Sequence, residues 1–222
     1  MSKLVVYDPV YGGLFLKSDK YDAVRRRVQE TVGEAVFKLG YSEFASDGAT
    51  KALRQAYKEN GIESIVPQGV ITRAGVFETS DHMGNSYKKV RVTLKRENDE
   101  LLLSIDFGSQ GDVAKRLISK LANYQPGVEV KISAWALLEP RDGRTFVNHS
   151  VSMKTPDGQE VPAKQGLFAQ AKQNAETIIK VANFTDKKVI DALKKSEQEK
   201  LFLRELEETC ARLLVAESGL QS

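Results

Sequence analysis

The stretch 112–154, DVAKRLISKLANYQPGVEVKISAWALLEPRDGRTFVNHSVSMK, decides the fold. Its first twelve residues carry Val113, Leu117, Ile118 and Leu121 at intervals of three and four, so they read as a helix with one buried side. Gln125-Pro126-Gly127 ends that helix, and beyond it the apolar period changes to two. Val130, Ile132, Ala134 and Ala136 alternate with Lys131, Ser133 and Trp135 along a strand predicted over 128–138. The turn Glu139-Pro140-Arg141-Asp142-Gly143-Arg144 leads into a strand over 145–154. There Val147, His149, Val151 and Met153 take the inner phase, leaving Phe146, Asn148, Ser150, Ser152 and Lys154 outside.

Upstream, alternation predicts strands over 69–79, 87–96 and 101–107, with turns at 81–86 and at Asn98-Asp99. In the second of these Val90, Val92 and Leu94 point one way, while Lys89, Arg91, Thr93 and Lys95 point the other. Three strands, a helix and two strands is the order of an OB-fold, a five-stranded Greek-key barrel. A generic five-stranded sheet with one helix has the same order. The expected class is α+β: a central five-stranded OB-fold barrel over 64–162, an N-terminal α/β extension over 1–63, and C-terminal helices over 163–222.

The extension reads as a strand at Leu4–Tyr7, a turn at Tyr11-Gly12-Gly13 and apolar Leu14–Leu16. A helix from about Tyr21 would align Val24, Val28, Val32 and Val36. A second helix, N-capped by Asp47, would turn Leu53, Ala56 and Tyr57 inward and stop at Asn60-Gly61. About 60 residues make a marginal core, so the extension is expected to pack on the barrel. At the other end, a helix over 164–182 precedes one containing Val189, Ile190 and Leu193. Ser196 and Glu199 form a capping-box pattern that predicts a break before Leu203. The stripe Leu203, Leu206, Cys210, Leu213 and Leu214 must then be buried on this chain or on another, and self-association is the favoured expectation.

The chain has 222 residues, of which 41% are hydrophobic, enough for a sizeable core. Its 33 Lys and Arg against 30 Asp and Glu leave no global excess of basic charge, so an anionic partner must be met by a local patch. Cys210 is the only cysteine, and His82 and His149 are the only histidines, which excludes a disulfide framework and a zinc site of several Cys and His ligands. A reducing cytoplasm is expected, with no membrane-spanning segment and no cofactor. Catalytic motifs are lacking. Cys210 lies on an apolar stripe, His149 is inward and His82 is in a turn, while Gly108-Ser109-Gln110-Gly111 lacks the lysine of a phosphate loop. The expected protein is not an enzyme.

The outward phases carry a binding chemistry instead. Trp135 and Phe146 flank a hairpin whose tip holds Arg141 and Arg144, and Lys131 shares the outer face of the same strand. Tyr87, Lys89 and Arg91 lie on the outward phase of their strand, and Arg73 adds a cation from the strand before. Unpaired bases expose π faces to such rings, while Lys and Arg neutralise phosphates. The two rings could instead be covered by the terminal helices, and an ordinary solvated face explains the lysines equally well.

GVITRAGVFET, KKVRVTLKR, LLLSIDF, VAKRLISKLANYQPGVEVKISAW and RTFVNHSVSMK together resemble the OB-fold single-stranded DNA-binding proteins of bacteriophages, over about 90 residues. The resemblance rests most on Leu-Ala-Asn-Tyr followed by Pro-Gly, a strand ending Ser-Ala-Trp, a charged hairpin and Phe-Val-Asn. It implies sequence-tolerant coating of single-stranded DNA in phage replication, recombination or repair within the host cytoplasm, with Trp135, Phe146 and Tyr87 stacking on bases. Replication or recombination proteins are the implied partners. Many such proteins end in an acidic tip, whereas this chain ends Ala-Glu-Ser-Gly-Leu-Gln-Ser. An interaction or assembly protein, and an RNA-binding OB module, are the alternatives.

Overall fold

The computed structural model describes residues 2–42, 48–80, 84–97, 99–107 and 112–219; of Arg141 and residues 217–219 it describes only the backbone. Asp47, His82, Asn98 and Gly108–Gly111 therefore lie outside the described residues. The fold is α+β, built on a curled, barrel-like mixed sheet. Its strands are β1 (Lys3–Asp8), β2 (Gly13–Leu16), β3 (Gln68–Ser80), β4 (Ser86–Arg96), β5 (Asp99–Asp106), β6 (Glu129–Arg141) and β7 (Arg144–Lys154). They run in the order β2-β1-β5-β4-β3-β6-β7. The expected five-stranded sheet is thus one of seven strands, because the N-terminal hairpin joins it: Lys3–Val6 pair in parallel with Leu101–Ser104 of β5.

That hairpin spans the gap between the two edges of the curl. Gly12, with φ +77°, sits so close to β6 that a Cβ would meet the Ala136 Cβ at 2.7 Å. The Tyr7 hydroxyl lies 2.6 Å from His149 Nδ1 on β7. Burial depresses the His149 pKa, helped by the Arg116 charge, which favours the neutral ring beside the Tyr7 hydroxyl. Alternation explains how one hairpin serves two cores. Val5 and Leu14 turn into the curl, against Val92, Leu103, Ile118 and Ile132. Phe15 turns outward, into a second core with Tyr21, Val24, Leu53 and Tyr57.

The second core comes from α1 (Asp19–Val32), α2 (Glu34–Lys38) and α3 (Ala49–Glu59). Ser18 caps α1 by accepting from the Tyr21 N–H. The four-apart valine stripe predicted to reach Val36 is cut at Gly33, whose φ of +84° ends α1, and Phe37 is the buried residue of α2. Gly48 occupies the N-cap of α3. The fully buried Asp8 carboxylate ties the layer to β1, accepting from Tyr21 and Tyr57 hydroxyls at 3.0 and 2.9 Å, Arg25 Nε at 3.1 Å and the Val10 N–H at 3.0 Å.

Tyr124, just past α4 (Val113–Leu121), accepts from the Ile71 N–H at 3.1 Å and donates to the Val128 carbonyl at 2.7 Å. It thereby pins the helix end to a register shift between Ile71 and Arg73 in β3. That irregularity lets β3 pair with β4 along most of its length while Gln68–Val70 also pair with β6.

Two helices follow, α5 (Leu167–Ala182) and α6 (Lys187–Gly219). No break occurs at Ser196–Glu199; α6 is continuous over 33 residues. Much of its stripe is covered by this chain. Phe202, Leu206 and Leu213 are buried in one core cluster with Val92 and Ile118, and Leu203 is half-buried, whereas Leu214 is exposed. Among the described residues no helix is long and apolar enough to cross a membrane.

Candidate nucleic-acid interface

The β6–β7 hairpin closes through Asp142 and Gly143, with φ +51° and +72°. Two positive φ values in a two-residue connection give the turn whose twist matches the flanking strands, so the ladder extends to Arg141 and Arg144. This fixes what shares a face. Lys131 lies opposite Lys154, Ser133 opposite Ser152, Trp135 opposite Ser150, Leu137 opposite Asn148 and Glu139 opposite Phe146. Trp135 and Phe146 are therefore on one outer face but separated by four residues of strand, roughly 13 Å at 3.3 Å per residue.

Both rings stay open to solvent, Trp135 at 38% and Phe146 at 49% exposure, so the terminal helices do not cover them. Lys131, Lys154 and Arg144 are exposed and form no ion pair among the described residues. Like charges directly opposite on a sheet, as Lys131 and Lys154 are, cost about 0.2–1 kcal/mol. Glu139, on this face, is engaged by Asn148 Nδ2 at 2.8 Å. Between the two lysines and the indole, Lys131, Ser133, Trp135, Ser152 and Lys154 line a shallow groove of about 410 Å³ with Val66 and Pro156. Val147, assigned inward by phase, is 38% exposed, because the hairpin projects beyond the core that would cover it.

The remaining predicted residues form a second group, on the outer face of β3 and β4. Arg73 is exposed and Tyr87 is 46% exposed. Lys89 is ion-paired to Asp106 at 3.0 Å, which weakens its standing as a phosphate ligand. Arg91 lies with its guanidinium 4.7 Å above the Phe77 ring. Phe77, itself 48% exposed, and Lys154 were missed by sequence reasoning as site residues; Phe77 shares the phase of Arg73, and that phase was the available signal. The described backbone of Arg141 stands at the hairpin tip, while its side chain lies outside the description. No group of three or more potential metal ligands occurs among the described residues.

No model of a known protein family matches the chain, and no curated protein matches it.

Proposed function

We propose that the protein binds single-stranded DNA with little sequence preference, through the outer face of the β6–β7 hairpin. The observation that carries this reading is the company of Trp135 and Phe146: two solvent-open rings on the same face as three cations that form no ion pair among the described residues. Stacking one base on such a ring is worth about 1–3 kcal/mol whatever the base, and the cations supply the salt-sensitive remainder. We also infer that β3–β7 with α4 are an OB-fold whose closing gap is filled by the β1–β2 hairpin. The helix between the third and fourth of those strands and the bent, shared β3 support that assignment.

Trp135 is the only tryptophan, so titration with oligo-dT followed by intrinsic fluorescence reads one position in this site. A flat trace with no mobility shift at low salt would discard the proposal. If three to five cations meet phosphates, log K against log salt falls with a slope of about −2 to −3.5, at −0.7 per phosphate; a slope near zero would exclude a polyanion.

Replacing Trp135 or Phe146 by Ala is expected to weaken oligo-dT binding by about 1–3 kcal/mol each, with little change in melting temperature. Loss of stability with unchanged affinity would instead make the rings packing residues.

The interaction-protein reading has one observation of its own. Ile178, Val181, Phe184 and Val189 are exposed where α5 turns into α6, Val181 at 83%. An apolar tip of this kind suits protein contact. Sedimentation of the protein alone and with oligo-dT separates the readings: assembly without any DNA response would favour the second.

A further inference from the structure

Beneath the last turns of α6, the outer face of β3 and β4 holds a cleft of about 320 Å³. Arg73, Phe77 and Arg91 line its sheet side, and Cys210, Leu213 and Leu214 its helix side. Two features of this cleft bear on what it holds.

Gly75 stands in the middle of β3, directly opposite Arg91. A glycine there weakens a strand, and neither backbone nor packing demands it. Its φ is not positive, and a Cβ would meet only the Phe77 ring, at an ordinary 3.8 Å. What the absent side chain does is keep the floor of the cleft open.

Arg91 is the second feature. It is held by the Phe77 ring rather than by a carboxylate, and its Nε is buried without an acceptor. Among the described residues it forms no ion pair. Arg91 is half-buried and lines the cleft, so a ligand acceptor there would meet a guanidinium that no carboxylate neutralises among the described residues. The walls around it are mostly apolar, contributed by Phe77, Leu102, Leu213 and Leu214. A bare phosphate has no place against such walls, whereas a flat ring with acceptors on one edge does. The volume is at the low end of the roughly 300–1,000 Å³ of small-ligand sites, which suits one base.

Resting on the single-strand-binding reading above, we propose that this cleft is a base slot selective for guanine, in which a guanine of the bound strand lies over Gly75 and presents O6 and N7 to Arg91. Guanine is chosen because it offers two acceptors side by side, the pair that an arginine fork matches. The slot lies apart from the β6–β7 face and gives an otherwise sequence-tolerant protein a preference at one position.

The test compares dT12, dT12 carrying one central dG, and free dGMP on the full chain, with two readouts. Trp135 fluorescence reports strand binding. Alkylation of Cys210, the only cysteine, reports occupancy of the cleft. The dG-containing strand is expected to bind about tenfold tighter than dT12 and to slow Cys210 alkylation, while dGMP protects only at far higher concentration. Gly75→Val, which puts a strand-favouring side chain into the opening, is expected to bring the affinity ratio to about one without lowering the melting temperature. Arg91→Lys, which keeps the charge and loses the fork, does the same to the ratio. A Trp135 response equal for both strands, with Cys210 unprotected, overturns the slot and leaves single-strand binding standing. Protection by micromolar dGMP with no strand preference overturns it in favour of a free-nucleotide site. No Trp135 response to either strand removes both readings.

Discussion

Deleting residues 186–222 is expected to abolish cooperative folding. Phe202, Leu206 and Leu213 lie at 0%, 1% and 4% exposure in the same core as Val90 and Leu117. Arg212 donates to the carbonyls of Leu121, Ala122 and Tyr124, at 3.1, 2.8 and 3.3 Å, so α6 also satisfies the otherwise open end of α4. Lys164 and Glu205 add an ion pair at 2.7 Å. Removing one buried Leu or Phe side chain costs about 2–5 kcal/mol, and three together match the 5–15 kcal/mol that holds a typical domain folded. Near-UV circular dichroism and a urea melt of the 1–185 fragment check this. A fragment that melts cooperatively would show that α6 is an appendage. Phe202→Ala is the graded version, expected to cost about 3–5 kcal/mol while the chain still folds.

Replacement of Asp8 by Ala is the second change with a large expected effect, about 3–5 kcal/mol in a urea melt. The carboxylate is the common acceptor for two buried hydroxyls, the Arg25 guanidinium and the Val10 N–H, and removing it leaves all four without that partner. Measured destabilisation under about 1 kcal/mol would mean that water replaces the carboxylate. The same cluster sets an alkaline limit. Burial and the nearby Asp8 charge raise the pKa of Tyr7, Tyr21 and Tyr57 above the usual value of about 10. Their stabilisation is complete below pH about 10 and is lost above it, because the unfolded chain ionises first. Each such tyrosine removes about 1.4 kcal/mol per further pH unit, so the urea midpoint should drop steeply between pH 10 and 11.

Local pattern made the middle of the chain legible. Alternation in 86–96 and 129–136 reports directly which side chains are inside, and the observed strands begin and end within three residues of the expected ones. Trp135 and Phe146 were placed outside the barrel by phase alone. Phase does not say what else lies on that surface. Whether α6 covers a ring depends on contacts between residues over a hundred positions apart, such as Lys88 with Glu199. The place of β1 and β2 in the sheet escaped for the same reason: Leu4–Tyr7 reads as a strand, but its parallel partner is set nearly a hundred residues later, and no local signal encodes that choice. Val147 failed differently, since a residue can hold the inner phase of a strand that has run past the core.

The β1–β2 hairpin also sets an order of events during synthesis. The first strand made finds its β5 partner only after residues 101–104 have emerged, and its contacts with Ala136 and His149 come later still. At roughly 5–20 residues per second, the N-terminal strands wait several seconds on the ribosome with apolar Val5, Val6, Leu14 and Phe15 uncovered. Because so many native pairings join distant parts of the chain, the final collapse is slow compared with a helical protein of this size. A chaperone or a low growth temperature should therefore raise the soluble yield mainly by guarding this nascent hairpin.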